Sequence, residues 1–450
     1  MPLAKSMEVS EYVKLLSKKM DDKSLTIGVV GLGYVGLPTA LAFHKSSFNV
    51  WGIDKSEDVI NSLKNNKSHL FEGDNILIPN DSRWNITTSY ENSIPNCDVV
   101  LICVPTPVDR NHMPDISMIR QSFKSISNTI INFQRITIIL ESTVQPGMTN
   151  LCLNEIISKK PALSNMINIA YCPERVSPGE ISHGVSQVAR VVGSNDLILT
   201  NLLAKLYKNI TSGEIMAVSS IEVAEASKLV ENTQRDIDIA FVNELSILMP
   251  KIGIDVEEVL SAADTKWNFH RHTPGIGVGG HCIPIDPHYY IQMAIKNNVI
   301  SSLSPAARKL NSSMPNYVAG EIMDFCESVS SKILVLGYSY KPNIGDSRET
   351  PIKYLIEILI NGGHDVVLWD PLVKKEEIPK NFNVLESPYE VNDLDCVVLA
   401  TAHDQVLGIN WESIKKNMHN PKIYDGRRCL DISTMVESGW SMRAIGLPLK

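Results

Sequence analysis

Between Leu25 and Asp54 the chain runs from a short apolar stretch through a glycine turn and a helix-compatible stretch to a second apolar run, LTIGVVGLGYVGLPTALAFHKSSFNVWGID. That order predicts a βαβ unit. Two further apolar runs, Cys97 to Val104 (CDVVLICV) and Ile136 to Leu140 (ITIIL), end in ProThrPro and GluSerThrVal and predict more strands. From about Ser219 to Ala263 apolar residues recur at spacings of three and four with a single proline, which predicts a helix long enough to be a spine between domains. Within it, Ala240 to Leu248 reads as core or as a subunit interface. After Ser331 the α/β pattern returns with KILVLGYSYKPNIGDSRETP, a helix-like IKYLIEILINGG, and the runs DVVLWDP, CVVLATAHD and KIYDGRR. The predicted fold class is α/β, with two doubly wound domains joined by a long central helix and a small helical middle domain. The boundaries predicted are an extension at 1–23, a first domain at 24–215, a helical domain at 216–315 and a second α/β domain at 316–450.

A length of 450 residues with 44% hydrophobic and 20% charged residues suits a globular protein of two or three domains and argues against disorder. The formal net charge of -8 argues against nucleic acid or an anionic membrane as the default partner. An anionic ligand must then meet local cations. The eight cysteines stand singly with no CxxC pair, so reduced thiols in a cytoplasm are expected rather than disulfides or a metal site. The first 24 residues are charged and lack the apolar core of a signal peptide, and no apolar run reaches transmembrane length.

Gly31, Gly33 and Gly36 form GxGxxG between a strand and a helix, with Asp54 placed 23 positions after Gly31 to accept from a ribose hydroxyl. This is the pattern of a Rossmann dinucleotide site. The acid favours NAD, although Lys55 beside it keeps NADP open. Thr106 and Thr143 lie in loops at the carboxyl ends of predicted strands, where ligands bind in open parallel sheets, but simple turn chemistry explains them as well. Lys228, Asn232 and Asp236 succeed one another at four spacing on the central helix, either as a functional face or as a solvated stripe. The second α/β pattern lacks GxGxxG and offers Lys341, Asp346, Arg348, Arg427 and Arg428, which suits phosphates gripped by side chains.

Cys282 ends the run ProGlyIleGlyValGlyGlyHisCys, and Asp286 follows four residues later. A buried cysteine is ordinarily an inert small hydrophobe. Glycines at 275, 277, 279 and 280 argue instead for a nucleophile that backbone and a bulky ligand can approach.

Six ordered motifs, GLGYVGLP, ESTVQPG, YCPERVSPGE, KLVENTQRD, PGIGVGGHCIPIDP and LGYSYKPNIGDSRETP, resemble the UDP-glucose/GDP-mannose dehydrogenase family of nucleotide-sugar 6-dehydrogenases over about residues 24–435. The resemblance implies NAD-dependent oxidation of a nucleotide sugar's C6 alcohol to a carboxylate by two hydride transfers. It implies that Cys282 adds to the aldehyde, that Lys228 and Asn232 stabilise the oxyanion, and that Glu174 or Asp286 activates the hydrolytic water in a network with Thr143. For the cofactor it implies Gly31, Gly33, Tyr34, Val35, Gly36, Asp54, Thr106, Thr143 and Arg348. For the UDP-sugar substrate it implies Glu174, Arg175, Lys228, Asn232, Gly279, Lys341 and Arg428, with Arg271 supplied across a homodimer interface.

CysProGluArgVal at 172–176 and GluAsnThrGlnArgAsp at 231–236 resemble the branch acting on UDP-N-acetylhexosamines, with Arg175 on the N-acetyl side. The epimer stays open: TKWNF at 265–269 leans toward the glucosamine or galactosamine sugar, and GVGGHC resembles the mannosamine enzymes. The product implied is a precursor of a surface polysaccharide. UDP-glucose is the alternative substrate. A single-step hydroxyacid-type dehydrogenase or a noncatalytic nucleotide-sugar sensor would have no need of Cys282.

Overall fold

The computed structural model describes residues 2–70, 76–109, 111–131, 134–176 and 184–449. The chain divides into two compact units, residues 1–231 with 288–293, and residues 232–287 with 294–450. Each is built on one sheet.

In the first unit the strands are β1 Thr26–Val30, β2 Asn49–Ile53, β3 Trp84–Thr87, β4 Val99–Ile102, β5 Ile136–Leu140, β6 Ile167–Tyr171, β7 Arg190–Ser194 and β8 Ile215–Ala217. They lie in the order β3-β2-β1-β4-β5-β6-β7-β8, parallel except where β7 runs against β6. Reversal of strand order beside β1 opens the crevice in which such sheets bind ligands. All residues of β4 and β5 are buried, the near-continuous apolar run expected of parallel strands covered on both faces. The helix Gly36–Lys45 packs Leu37, Ala40 and Phe43 into the same core as Ile27, Val29 and Val50.

The extension at 1–23 contains a helix, Pro2–Asp21, whose Tyr12, Val13, Leu16 and Met20 join that core. Its i, i+4 spacing is legible in the sequence only once a partner surface is known. Lys19 pairs with Asp98 at 2.6 Å, and the Tyr12 hydroxyl lies 3.0 Å from Thr137 Oγ1.

The central helical pattern divides in two, Ile221–Lys251 and Val256–Asp264. Pro250 sits in the last turn of the first helix, Gly253 follows at φ 78°, and the Asp255 carboxylate caps the second by accepting from Glu257 N. A run of apolar periodicity had masked this break.

In the second unit β9 Lys332–Leu336, β10 Asp365–Trp369, β11 Asn383–Val384, β12 Cys396–Leu399, β13 Lys422–Asp425 and β14 Ser441–Ala444 form an all-parallel sheet in the order β11-β10-β9-β12-β13-β14. Helix Pro351–Asn361 opens with Thr350 as cap and Pro351 in the first turn, and it packs Leu355, Ile356 and Leu359 with Val318, Ile322 and Phe325 of helix Leu303–Cys326. Among the described residues no helix is long and apolar enough to cross a membrane.

Candidate functional site

The turn after β1 uses its three glycines differently. Gly31 has φ 89°, and a Cβ there would lie 2.7 Å from the Cys103 carbonyl oxygen; at Gly36 it would lie 1.8 Å from the Gly31 oxygen. Around Gly33 nothing lies within 4 Å of that position. Two glycines therefore close the turn, and the third leaves the N-terminus of helix Gly36–Lys45, which has no side-chain cap, open to a ligand. At the end of β2, Asp54 accepts from Leu32 N at 2.8 Å through Oδ2 and from Ser56 N at 2.9 Å through Oδ1. The open cradle and the fixed acid fit NAD. Tyr34 and Val35 in the turn, and Thr106 and Thr143 after β4 and β5, are all partly exposed, and the Thr106 carbonyl accepts from the Tyr289 hydroxyl at 3.0 Å. Replacing Asp54 by alanine is expected to raise the KM for NAD by about 10- to 100-fold, the loss of a charged hydrogen bond, with little change in kcat. Steady-state kinetics at saturating sugar check it.

Beyond β6 the chain turns through Cys172, Pro173 and Glu174. Lys228 Nζ donates to the Glu174 carbonyl at 2.6 Å and lies 3.7 Å from Glu174 Oε2. Both residues are buried, and Glu174 Oε1 has no hydrogen-bond partner among the described residues. Arg175 is paired with Glu231 through Nη2 and Oε1. The SerProGlyGlu end of the PER motif, residues 177–180, lies outside the described residues. The sequence reading missed a second polar group in this unit: Glu141 and Arg190 are both buried, with 3.4 Å between Oε1 and Nη1, and the Tyr207 hydroxyl donates to the same Oε1 at 2.6 Å. Burial pushes the Glu141 carboxyl up, opposed by the Arg190 guanidinium.

In the second unit the Cys282 carbonyl accepts from Asp286 N at 2.8 Å, opening the helix Asp286–Lys296, and Asn232 Nδ2 donates to Asp286 Oδ2 at 2.5 Å. The Cys282 backbone, an amide and a buried carboxylate thus belong to one hydrogen-bonded cluster. The glycines before the thiol have a role the sequence did not show. A Cβ at Gly279 would lie 2.5 Å from Tyr340 Cβ, one at Gly280 2.9 Å from the Tyr340 ring, and one at Gly277 2.9 Å from Pro351. At Gly275 it would meet Arg427 Nη1 at 3.1 Å. The chain's own segments, rather than a ligand alone, require that run to be bare. Its start is anchored where Gly275 N donates to Asn243 Oδ1 at 3.0 Å, and Asn243 continues through Asn311 to Asp236, which Arg308 pairs at 2.6 Å. These buried polar residues sit in apolar helical stretches, and that contrast was the only signal of them.

The cations of the second sheet lie at the carboxyl ends of its strands. Lys341 is partly buried after β9, and Arg348 forks onto Asp346 at 2.9 and 2.6 Å. Arg428 Nη2 donates to both carboxylate oxygens of Asp255 at 2.8 and 2.7 Å, and Arg427 Nε donates to the Ala400 carbonyl at 2.7 Å. Arg271 donates to Glu257 and, at 3.1 Å, to Ser261 Oγ. Each of these arginines is held by a carboxylate or carbonyl of its own unit, so an incoming anion meets side chains already oriented.

The dinucleotide cradle on a parallel sheet marks the protein as an NAD-binding oxidoreductase. Residues 25–211, 222–313 and 334–432 match, in turn, the NAD binding, central and UDP binding domains of the UDP-glucose/GDP-mannose dehydrogenase family. The chain is 33% identical to a UDP-N-acetyl-D-mannosamine dehydrogenase of Pyrococcus horikoshii over 433 residues, covering 94% of this chain and 99% of that protein. It is 33% identical to a UDP-N-acetyl-D-glucosamine 6-dehydrogenase of Pseudomonas aeruginosa over 419 residues, covering 91% and 98%. The solved structure of the UDP-D-ManNAc dehydrogenase from Pyrococcus horikoshii superposes with a TM-score of 0.82 at 32% identity, covering 94% of this chain and 99% of that one. The chain belongs to the UDP-glucose/GDP-mannose dehydrogenase family, as an oxidoreductase of its NAD-dependent nucleotide-sugar 6-dehydrogenase type.

Proposed function

We propose that this enzyme oxidises the C6 hydroxyl of a UDP-N-acetylhexosamine to the uronic acid through a thioester on Cys282. The observation that carries the reading is that Asp286, held by Asn232, is tied through its backbone N to the Cys282 carbonyl in a chain of this family. NAD, when bound, accepts a hydride in each of two oxidations. Between them the Cys282 thiolate adds to the C6 aldehyde, and the alkoxide formed takes a proton to give a thiohemiacetal. Loss of the second hydride and of the hydroxyl proton leaves a thioester, and water replaces the sulfur to release the acid and the thiol. Lys228 and Asn232 offer an ammonium and an amide donor to the oxyanions, and Lys228 relays a proton. Oε1 of Glu174, without a hydrogen-bond partner among the described residues, favours that residue as the base for water, whereas Oδ2 of Asp286 is engaged by Asn232 and suits an orienting role. Thr143 completes the water network.

In the same reading residues 24–215 hold NAD, 216–315 form the helical domain and 316–450 hold the UDP-sugar, with Lys341 and Arg428 toward the nucleotide sugar, Arg175 toward the N-acetyl group and Arg348 toward the cofactor. Gly279 lines the sugar's approach to the thiol. The exposed Phe241 and Leu248 of the central helix support a homodimer, to which Arg271 contributes. The pathway is surface polysaccharide synthesis in the cytoplasm, where NAD is available. Relatives named for the mannosamine and glucosamine sugars stand at the same 33% identity, so the sugar must come from experiment. With UDP-N-acetylglucosamine, -galactosamine, -mannosamine and UDP-glucose each run to exhaustion, two NADH per N-acetyl sugar are expected. One per sugar identifies a simple alcohol dehydrogenase, and two on UDP-glucose alone overturn the assignment to the N-acetyl branch.

A further inference from the structure

His403 and Asp370 stand just beyond β12 and β10 with fully buried side chains, outside the six family motifs. His403 Nδ1 accepts from Asn343 N at 2.9 Å. That ring nitrogen is therefore bare, and the proton is on Nε2. Nε2 lies 3.0 Å from Ser339 Oγ and 3.2 Å from Asp370 Oδ2, so it donates to both. Ser339 Oγ in turn donates to the Lys341 carbonyl at 2.8 Å, and Asp370 Oδ2 accepts from Tyr338 N at 2.5 Å and Ser339 N at 3.1 Å. Although burial works against the charge of Asp370, His403 and the backbone donors hold its carboxyl down to about 2.

One imidazole thus pins the loop after β9 at Ser339 and Asn343, with Tyr340 and Lys341 between them. Tyr340 leans the other way. Its Cβ occupies the space that a side chain at Gly279 would need and its ring the space needed at Gly280, two residues before Cys282, and its hydroxyl is pushed up to about 12 by burial, with the charges of Asp346 and Cys282 adding to the effect. Gly280 N also donates to the Arg348 carbonyl at 3.1 Å, a second tie between the two loops.

We propose that His403 is a positioning residue that sets Lys341 for the nucleotide diphosphate and, through Tyr340 as a strut, sets the loop that carries Cys282. The inference rests on the reading of Lys341 as the nucleotide-sugar lysine. Loss of the imidazole lets the loop drift, so the diphosphate grip and the thiol's surroundings change together.

The test uses the full chain with UDP as the probe. Affinity is read by calorimetry, and the alkylation rate of Cys282 by iodoacetamide is read on the Cys282 peptide by mass spectrometry, because Cys429 is also exposed. His403→Ala is expected to weaken UDP by about 10- to 100-fold, as ångström-scale misplacement of a binding group does, and to speed Cys282 alkylation several-fold. His403→Asn keeps an acceptor for Asn343 N, and His403→Gln keeps a donor toward Ser339, so each is expected to recover part of the UDP affinity. Tyr340→Ala is expected to speed alkylation as much while leaving most of the UDP affinity, which separates the strut from the peg. Folded His403→Ala protein with wild-type UDP affinity and alkylation overturns the proposal, as does Tyr340→Ala without any change in alkylation. If wild-type protein fails to bind UDP, the nucleotide reading of Lys341 falls, and the alkylation arm alone decides whether His403 and Tyr340 set the thiol loop.

Discussion

Replacing Cys282 by alanine is expected to lower the rate of uronic acid formation by at least about three orders of magnitude, the scale on which covalent catalysis fails without its nucleophile. The aldehyde made by the first oxidation then has no thiolate to hold it. The second oxidation requires a tetrahedral C6 carrying a hydrogen and an oxygen, and only a hydrated aldehyde can still supply one. Alanine keeps the Cys282 carbonyl that accepts from Ile285 N and Asp286 N, so the loop is expected to survive the change. Unaltered thermal midpoint and NAD affinity, with acid formation followed by mass spectrometry, would separate loss of chemistry from loss of structure. Near wild-type acid formation with two NADH per sugar would remove the thioester from the mechanism and leave Asp286 and Glu174 to act on an aldehyde hydrate.

The parts of this site legible in the sequence are those whose chemistry demands a residue type at a fixed local spacing. GxGxxG with Asp54 is such a case, because the turn, the helix and the second strand that give those residues meaning all lie within one βαβ unit. The glycines before Cys282 show the limit. Their spacing was plain, but Gly279 and Gly280 are bare because Tyr340, some sixty positions onward, lies against them, and no local pattern carries that information. The same holds for Asn243, Asn311 and Arg308, which solve one another's burial across two helices. The break at Gly253 was written in Pro250, Gly253 and Asp255, yet continuous apolar spacing on both sides outweighed three residues of capping chemistry. Asp370 ends the second strand of its βαβ unit as Asp54 does, and it too accepts from the backbone of the turn after the first strand. In the first unit that turn is a glycine cradle for a ligand; in the second it is closed by a histidine.

Removing Arg190 is expected to give the largest loss of stability. A Met in its place fills similar volume but leaves the Glu141 carboxylate buried with, among the described residues, the Tyr207 hydroxyl and the Cys103 thiol at 3.6 Å as side-chain donors. Breaking a buried ion pair from one side costs about 3–5 kcal/mol. For a domain of this size that corresponds to a fall in thermal midpoint on the order of 10 °C. Changing Glu141→Gln together with Arg190→Met removes the orphaned charge and is expected to restore most of the loss, because the two sites act on the same group. The pH dependence has a definite sign. Folding already raises the Glu141 carboxyl above its ordinary range, so the fold favours the neutral form: its stabilisation is complete below the unfolded carboxyl value and is lost as the pH rises through the folded one. Without Arg190 that folded value rises further. The gap between wild type and Arg190→Met is therefore expected to be smallest on the acid side and to widen as the pH rises, as read by scanning calorimetry. A gap independent of pH, with no recovery in the double variant, would mean that Arg190 stabilises through packing on the Tyr207 ring, whose centroid lies 5.0 Å from the guanidinium carbon, and not through charge.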